Sequence, residues 1–266
     1  MMGAIIGDIV GSVYEFDNIK TVDFPLFSEQ SRPTDDSVMS VAVAAALLKE
    51  GREDDSRLAA SAVACMQEIG WHYPDCGYGN HFIHWIFSDD PQPYYSYGNG
   101  SAMRVSACGW AADSLEECLR LARIVTAVSH DHPEGIRGAL AVTEAVWMAR
   151  NGCSKDEIRK MIEQKYYALD FTLDDIRPDY DFDVTCQGSV PQAVEAFLES
   201  EGFEDAIRLA VSIGGDSDTI AAITGSIAEA FYGIPEELRE QALLRMDDRL
   251  RSIIMKFEEI YPVSYA

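Results

Sequence analysis

The sequence predicts an all-α fold, and three observations carry that expectation. Apolar residues recur at helical spacing along most of the chain, sustained period-two alternation is scarce, and several helix faces are lined by small residues that let helices pack closely. Gly3, Gly7 and Gly11 repeat every four residues on an expected first helix, which also carries Asp8 and, on the same face, Glu15. Val38, Val41, Ala45 and Leu48 keep one helical stripe until Gly51 stops it. Amphipathic or small-residue patterns then predict helices over 56–69, 101–112, 115–128, 134–150 and 155–165. Further helices are expected over 191–199, 204–211, 216–232 and 235–260, the last broken once. Loops are read at 20–33, 72–80, 88–100 and 167–187. None is a low-complexity linker and no composition shift marks a boundary, so residues 1–266 read as a single domain.

Composition narrows the function classes. A hydrophobic content of 47% over 266 residues supplies a large core. Forty-five acidic against 21 basic residues give a net charge of −24, a surface that repels phosphate backbones and anionic lipids and keeps a monomer soluble. Nucleic-acid and membrane partners are therefore not expected. The segment Met1 to Asp8 has no basic stretch and is interrupted by Asp8, unlike a signal peptide. The apolar run 37–48 is too short to span a bilayer. Six scattered cysteines without a C-x-x-C pair read as reduced thiols, which points to a cytoplasmic location.

The densest chemistry is Gly214-Gly215-Asp216-Ser217-Asp218-Thr219, followed by a small, apolar helix over 220–230. Thr34-Asp35-Asp36-Ser37 opens another apolar helix far upstream. Asp, Ser and Thr are preferred helix caps, and either cluster alone reads first as a cap. A cap needs one oxygen, however, and each cluster offers at least three. Two such clusters at helix N-termini are what hard divalent cations require, since these ions take carboxylate oxygens and keep several waters. Asp8 and Glu15 are isolated charges on an apolar helix. Both could lie on a solvated face, but Glu15 is favoured for a functional role, and Asp8 for holding neighbouring backbone.

Gly98-Asn99-Gly100-Ser101-Ala102-Met103-Arg104 is a glycine-rich loop leading into a helix, and its N–H groups could cradle phosphate. By itself it is first a turn signal. Arg104 could contact phosphate or, more commonly, pair with a carboxylate. Ser129-His130-Asp131-His132-Pro133 sets two imidazoles at a helix start, and His130 could meet a ligand or serve the cap region. His81 and His84 fall far short of a zinc site. No nucleophile elbow, Walker loop or Rossmann fingerprint is present.

Taken in order, Gly7-Asp8-x-x-Gly11-x-x-x-Glu15, Thr34-Asp35-Asp36-Ser37, the Gly98 to Arg104 loop, Ser129-His130 and Gly214 to Thr219 make the chain resemble the ADP-ribosylglycohydrolase family over nearly its whole length. The resemblance implies a compact, orthogonally packed multi-helix bundle holding two Mg²⁺ or Mn²⁺ ions. It implies Thr34, Asp35 and Asp36 as metal ligands from one side, and Asp216, Asp218 and Thr219 from the other. Glu15 and Asp36 would serve the reaction, while Asn99, Gly100, Ser101, Met103 and His130 would line an ADP-ribose cleft. Tyr180, Phe182, Val190 and Tyr232 are further expected nucleoside contacts. The implied reaction is hydrolysis of the glycosidic bond between ADP-ribose and an arginine or serine side chain, or a small acceptor. A non-catalytic ADP-ribose binder and a two-metal phosphoesterase acting on a nucleotide diphosphate are the competing readings. The chain is short for the family, and Val105-Ser106-Ala107-Cys108-Gly109 lacks the proline many relatives carry before that glycine. Both departures bear on the leaving group rather than on the metal ligands.

Overall fold

The computed structural model describes residues 1–262, so residues 263–266 of the expected 1–266 unit lie outside it. The described residues form fourteen α-helices. They are α1 (Met2–Gly11), α2 (Asp35–Glu50), α3 (Asp55–Gly70), α4 (Asn80–Ile86), α5 (Ser106–Ala111), α6 (Leu115–Ala127) and α7 (Pro133–Arg150). After these come α8 (Lys155–Lys165), α9 (Leu173–Ile176), α10 (Cys186–Glu199), α11 (Phe203–Ser212), α12 (Ser217–Tyr232), α13 (Glu236–Leu244) and α14 (Asp248–Ile260). Among the described residues the only β-type pairing is an isolated bridge between Gly98 and Thr185. The all-α expectation holds.

Two helices make the spine. Every residue of α1 is buried, as is α12 from Ser217 to Ala230, and their contact is the most extensive in the fold. The four-residue glycine repeat explains it: a Cβ on Gly7 would sit 2.0 Å from the carbonyl oxygen of Ala221. Backbone thus meets backbone, and dispersion contacts replace side-chain interdigitation. Helices α2, α7, α10 and α11 pack around this pair, and α3 and α14 cover α2.

Helix starts follow local chemistry where the site does not intervene. Asp54, Ser114, Ser154, Thr185 and Asp247 each cap a helix through the side chain, and Ser154 forms a full capping box with Glu157. The six cysteines are all free.

Four boundaries differ from the sequence expectation. Helix α1 ends at Gly11, where the Ser12 hydroxyl donates back to the Ile9 carbonyl (2.9 Å). Glu15 therefore lies in the turn beyond and shares no helical face with Asp8. The expected 101–112 helix is split into a 3₁₀ turn, Asn99–Ser101, and α5. Helix α10 begins at Cys186, not 191, because Thr185 caps it and Pro191 sits inside. Two short helices, α4 and α9, occupy stretches adjoining or within the expected loops.

Candidate active site

The start of α2 is organised from outside the helix. Its cap residue, Thr34, makes no side-chain cap bond. Asp8, on α1, does the capping instead: its Oδ2 accepts from the Thr34 N–H (2.9 Å) and the Ser37 N–H (3.0 Å). The Thr34 hydroxyl donates to Asp8 Oδ1 (2.6 Å), and the Ser37 hydroxyl donates to Oδ2. Asp8 is fully buried, so these four donors are what make its charge tolerable there. With α2 capped from α1, Asp35 and Asp36 are free of that duty.

The start of α12 is organised through its backbone. Gly214 and Gly215 both have positive φ, 70° and 75°, and a Cβ on Gly215 would lie 2.3 Å from the Tyr180 ring. Asn18 grips this turn, accepting from the Gly215 N–H (2.7 Å) and donating to its carbonyl (2.9 Å). Lys20 donates to the carbonyls of Ile213 (2.5 Å) and Tyr180 (2.6 Å). Asp216 then stands at the cap position without capping, and accepts from Asn99 Nδ2 (2.6 Å).

The two helix starts meet. Single carboxylate oxygens of Asp8, Asp36 and Asp218 lie within 4.8 Å of one another, and so do those of Glu15, Asp216 and Asp218. Asp218 belongs to both sets. Such crowding is expensive for bare carboxylates. Burial first, then the Asp218 charge, pushes Asp35 and Asp36 well above the usual carboxylate range. Burial, then Asp216, does the same to Asp218. Burial lifts Asp8 and Asp216 to about 6, held back by their hydrogen bonds, while burial plus the Asp218 charge lifts Glu15 to about 8. Asp36 Oδ1 is buried with no hydrogen-bond partner among the described residues, whereas its Oδ2 accepts from the Thr219 hydroxyl (3.2 Å). An orphaned carboxylate oxygen within an all-oxygen donor set fits a hard divalent cation. Asp8 is the exception within its set, because its oxygens are already engaged.

A cleft of about 550 Å³ opens over the carboxylates. Glu15, Asp35, Asp36, Asp216, Asp218 and Thr219 line it together with Gly98, Asn99, Gly100, Met103, Arg104 and His130. Phe16 and Phe182 stack at its edge with ring centroids 5.9 Å apart, and both rings are exposed. Thr34 is buried beneath the cleft. Ser101 also faces inward: its hydroxyl lies 2.9 Å from the Gly135 carbonyl and 3.0 Å from that of Gly98, fastening the loop to α7. Val190 is buried in α10, and Tyr232 donates to the Ser200 carbonyl (2.7 Å), so both stand away from the cleft. Tyr180 packs on Gly215 and donates to the Gly188 carbonyl (2.6 Å). His81 and His84 assemble no metal group, although His81 reaches the cleft.

Sequence reasoning missed the clamp of Asn18 and Lys20 on the Gly214–Gly215 turn, which lies 197 positions from Asn18. It left open the pairing of Arg104, which among the described residues meets a serine and an aromatic ring rather than a carboxylate.

The ADP-ribosylglycohydrolase family model matches residues 1–264, and the chain belongs to that family of enzymes, which hydrolyse glycosidic bonds to ADP-ribose. Among individual relatives, the human ADP-ribosylhydrolase ARH3 is 24% identical over 315 residues, covering 89% of this chain and 85% of its own length. The ADP-ribosylarginine hydrolase Tri1 of Pseudomonas putida is 26% identical over 269 residues, covering 88% of this chain and 70% of its own. A solved ADP-ribosylglycohydrolase-related protein complex superposes with a TM-score of 0.67 at 20% identity, covering 98% of this chain and 97% of that one, a likeness of fold. No helix among the described residues is long and apolar enough to cross a membrane.

Proposed function

We propose that this protein releases ADP-ribose from a modified arginine or serine side chain, or from a small acceptor, by divalent-cation-dependent hydrolysis in the cleft. The observation that carries the reading is the meeting of Asp36, Asp216, Asp218 and Glu15, with Asp36 Oδ1 buried and without a hydrogen-bond partner among the described residues. Asp35, Asp36, Asp216, Asp218, Thr34 and Thr219 are the proposed ligands of two Mg²⁺ or Mn²⁺ ions, with Asp8 positioning the first group. When bound, such ions orient ribose hydroxyls and lower the pKa of a water.

The chain's own residues supply the rest. Bound cations would lower the carboxyl pKa values that burial and neighbouring charges raise in their absence; Glu15, half-buried at the cleft edge, would then accept a proton from the attacking water, and Asp36 would oppose positive charge developing on the ribose. Asn99 orients Asp216, and Gly98, Gly100, Met103 and His130 form the wall against which the diphosphate lies. We read residues 1–266 as one domain, working as a monomer in the cytoplasm.

The test is release of ADP-ribose from arginine- and serine-linked modified proteins with Mg²⁺, with Mn²⁺ and with chelator. Metal-dependent release from one linkage is the expected outcome and names the leaving group. AMP as product would replace this reading with phosphoesterase action, and binding without product with a non-catalytic binder.

A further inference from the structure

The Arg104 side chain is fully buried, yet it takes up no carboxylate in so acidic a chain. Its Nη2 donates to Ser129 Oγ (2.7 Å), its guanidinium lies 5.1 Å from the centre of the Phe82 ring, and its Nε and Nη1 have no partner among the described residues. A buried cation this poorly satisfied is costly, so its one hydrogen bond marks where it acts. That bond leads to His130, because Ser129 Oγ lies 2.8 Å from His130 Nδ1.

Proton counting fixes the direction. Arginine cannot accept, so Ser129 Oγ accepts from it. Ser129 is fully buried and has one hydroxyl proton, for which Nδ1 is the acceptor at hand. Nδ1 must then be unprotonated. Burial, followed by the Arg104 charge, holds His130 well below the usual histidine range, so the ring is neutral. Its single proton sits on Nε2, which faces the glycine loop, 3.7 and 3.5 Å from where side chains on Gly98 and Gly100 would begin.

We infer that Arg104 and Ser129 are positioning residues that lock His130 as a permanent Nε2–H donor into the cleft, selecting an acceptor-only oxygen such as a phosphoryl oxygen. His130 is thereby a fixed recognition group, withheld from proton transfer. The ligand class rests on the function proposed above; the relay itself does not.

The experiment is long-range ¹H–¹⁵N NMR of the histidine rings of the full chain, with His130 assigned by the signal lost in His130→Gln. The wild type is expected to show a pyridine-type Nδ1 and a pyrrole-type Nε2. Ser129→Ala removes the proton donor to Nδ1, and Arg104→Met removes the donor that holds the Ser129 hydroxyl turned towards Nδ1, so each should mix the tautomers, the serine variant more. Either variant suffices if the other does not fold. In turnover, each should raise KM about two- to fivefold, because only the Nε2–H fraction is ready to bind, with kcat within about twofold. A wild-type Nδ1–H tautomer, or an Nε2–H tautomer unchanged in the variants, overturns the relay. Mixed tautomers with unchanged KM overturn its ligand-facing role. If no ADP-ribosyl bond is hydrolysed but the tautomer behaves as stated, the proposed function fails and the relay stands.

Discussion

The two helix starts that meet in the cleft are held in opposite ways. The N-terminus of α2 is held by a side chain, Asp8, which reaches across from α1 and satisfies Thr34 and Ser37. The N-terminus of α12 is held by its backbone, through two left-handed glycines gripped by Asn18 and Lys20. Both devices take capping away from the aspartates at the cleft. The difference teaches that freeing a carboxylate for a ligand needs another group to do its local work. That group can be a remote side chain or a turn that leaves nothing to cap.

The sharpest way to break the comparison is at the residue both sets share. Asp218→Ala should lower kcat by at least about a thousandfold, several kcal/mol of transition-state stabilisation, while the fold persists by circular dichroism. Near-normal turnover would defeat the two-set reading.

Asp8→Asn tests the side-chain-held half. An amide there turns N–H groups towards donors that need acceptors, so cation affinity by titration calorimetry should fall about 10- to 100-fold, the usual cost of losing an orienting partner. An unchanged affinity would remove Asp8 from the positioning role. Gly215→Ala tests the backbone-held half: a Cβ at φ 75° beside Tyr180 should cost on the order of 2 kcal/mol and lower Tm by several degrees. A variant as stable as wild type would show that the turn has slack.

The remaining test is the pH dependence of stability. Glu15 is raised from 4.5 to about 8, and Asp8 and Asp216 from 3.8 to about 6, so the folded chain holds these protons more tightly than the unfolded one. Stability from this source is full below about pH 4 and is lost as pH rises, through about 6 for the aspartates and about 8 for Glu15. In chelator, Tm should therefore fall over that window. With Mg²⁺ the fall should shrink, because the cation replaces the protons. Parallel Tm curves with and without metal would count against a cation at these carboxylates.

The sequence made the helical periodicity, the close-packing glycines and both aspartate clusters legible, because each is written in local spacing. Gly7 does what its repeat implies, and Asp36 and Asp218 converge from two separated motifs. What it hid was set by tertiary contact. The first helix stops at Gly11 where it meets the first turn of α12, whose Asp218 Cα lies 2.4 Å from where a Gly11 Cβ would be. The inward turn of Ser101 was equally unreadable, since its partner on α7, Gly135, lies 34 positions away. Arg104 defeated the commoner expectation because its surroundings, not its charge, chose its partner.

The α1–α12 spine also has a temporal meaning. Glu15 and Asp36 are made within the first 36 positions, but Asp216 and Asp218 come 180 or more positions later. On a ribosome, the early carboxylates leave the exit tunnel long before their counterparts exist. The cleft is thus among the last features of the molecule to form, and a growing or prematurely terminated chain cannot bring its two carboxylate groups together.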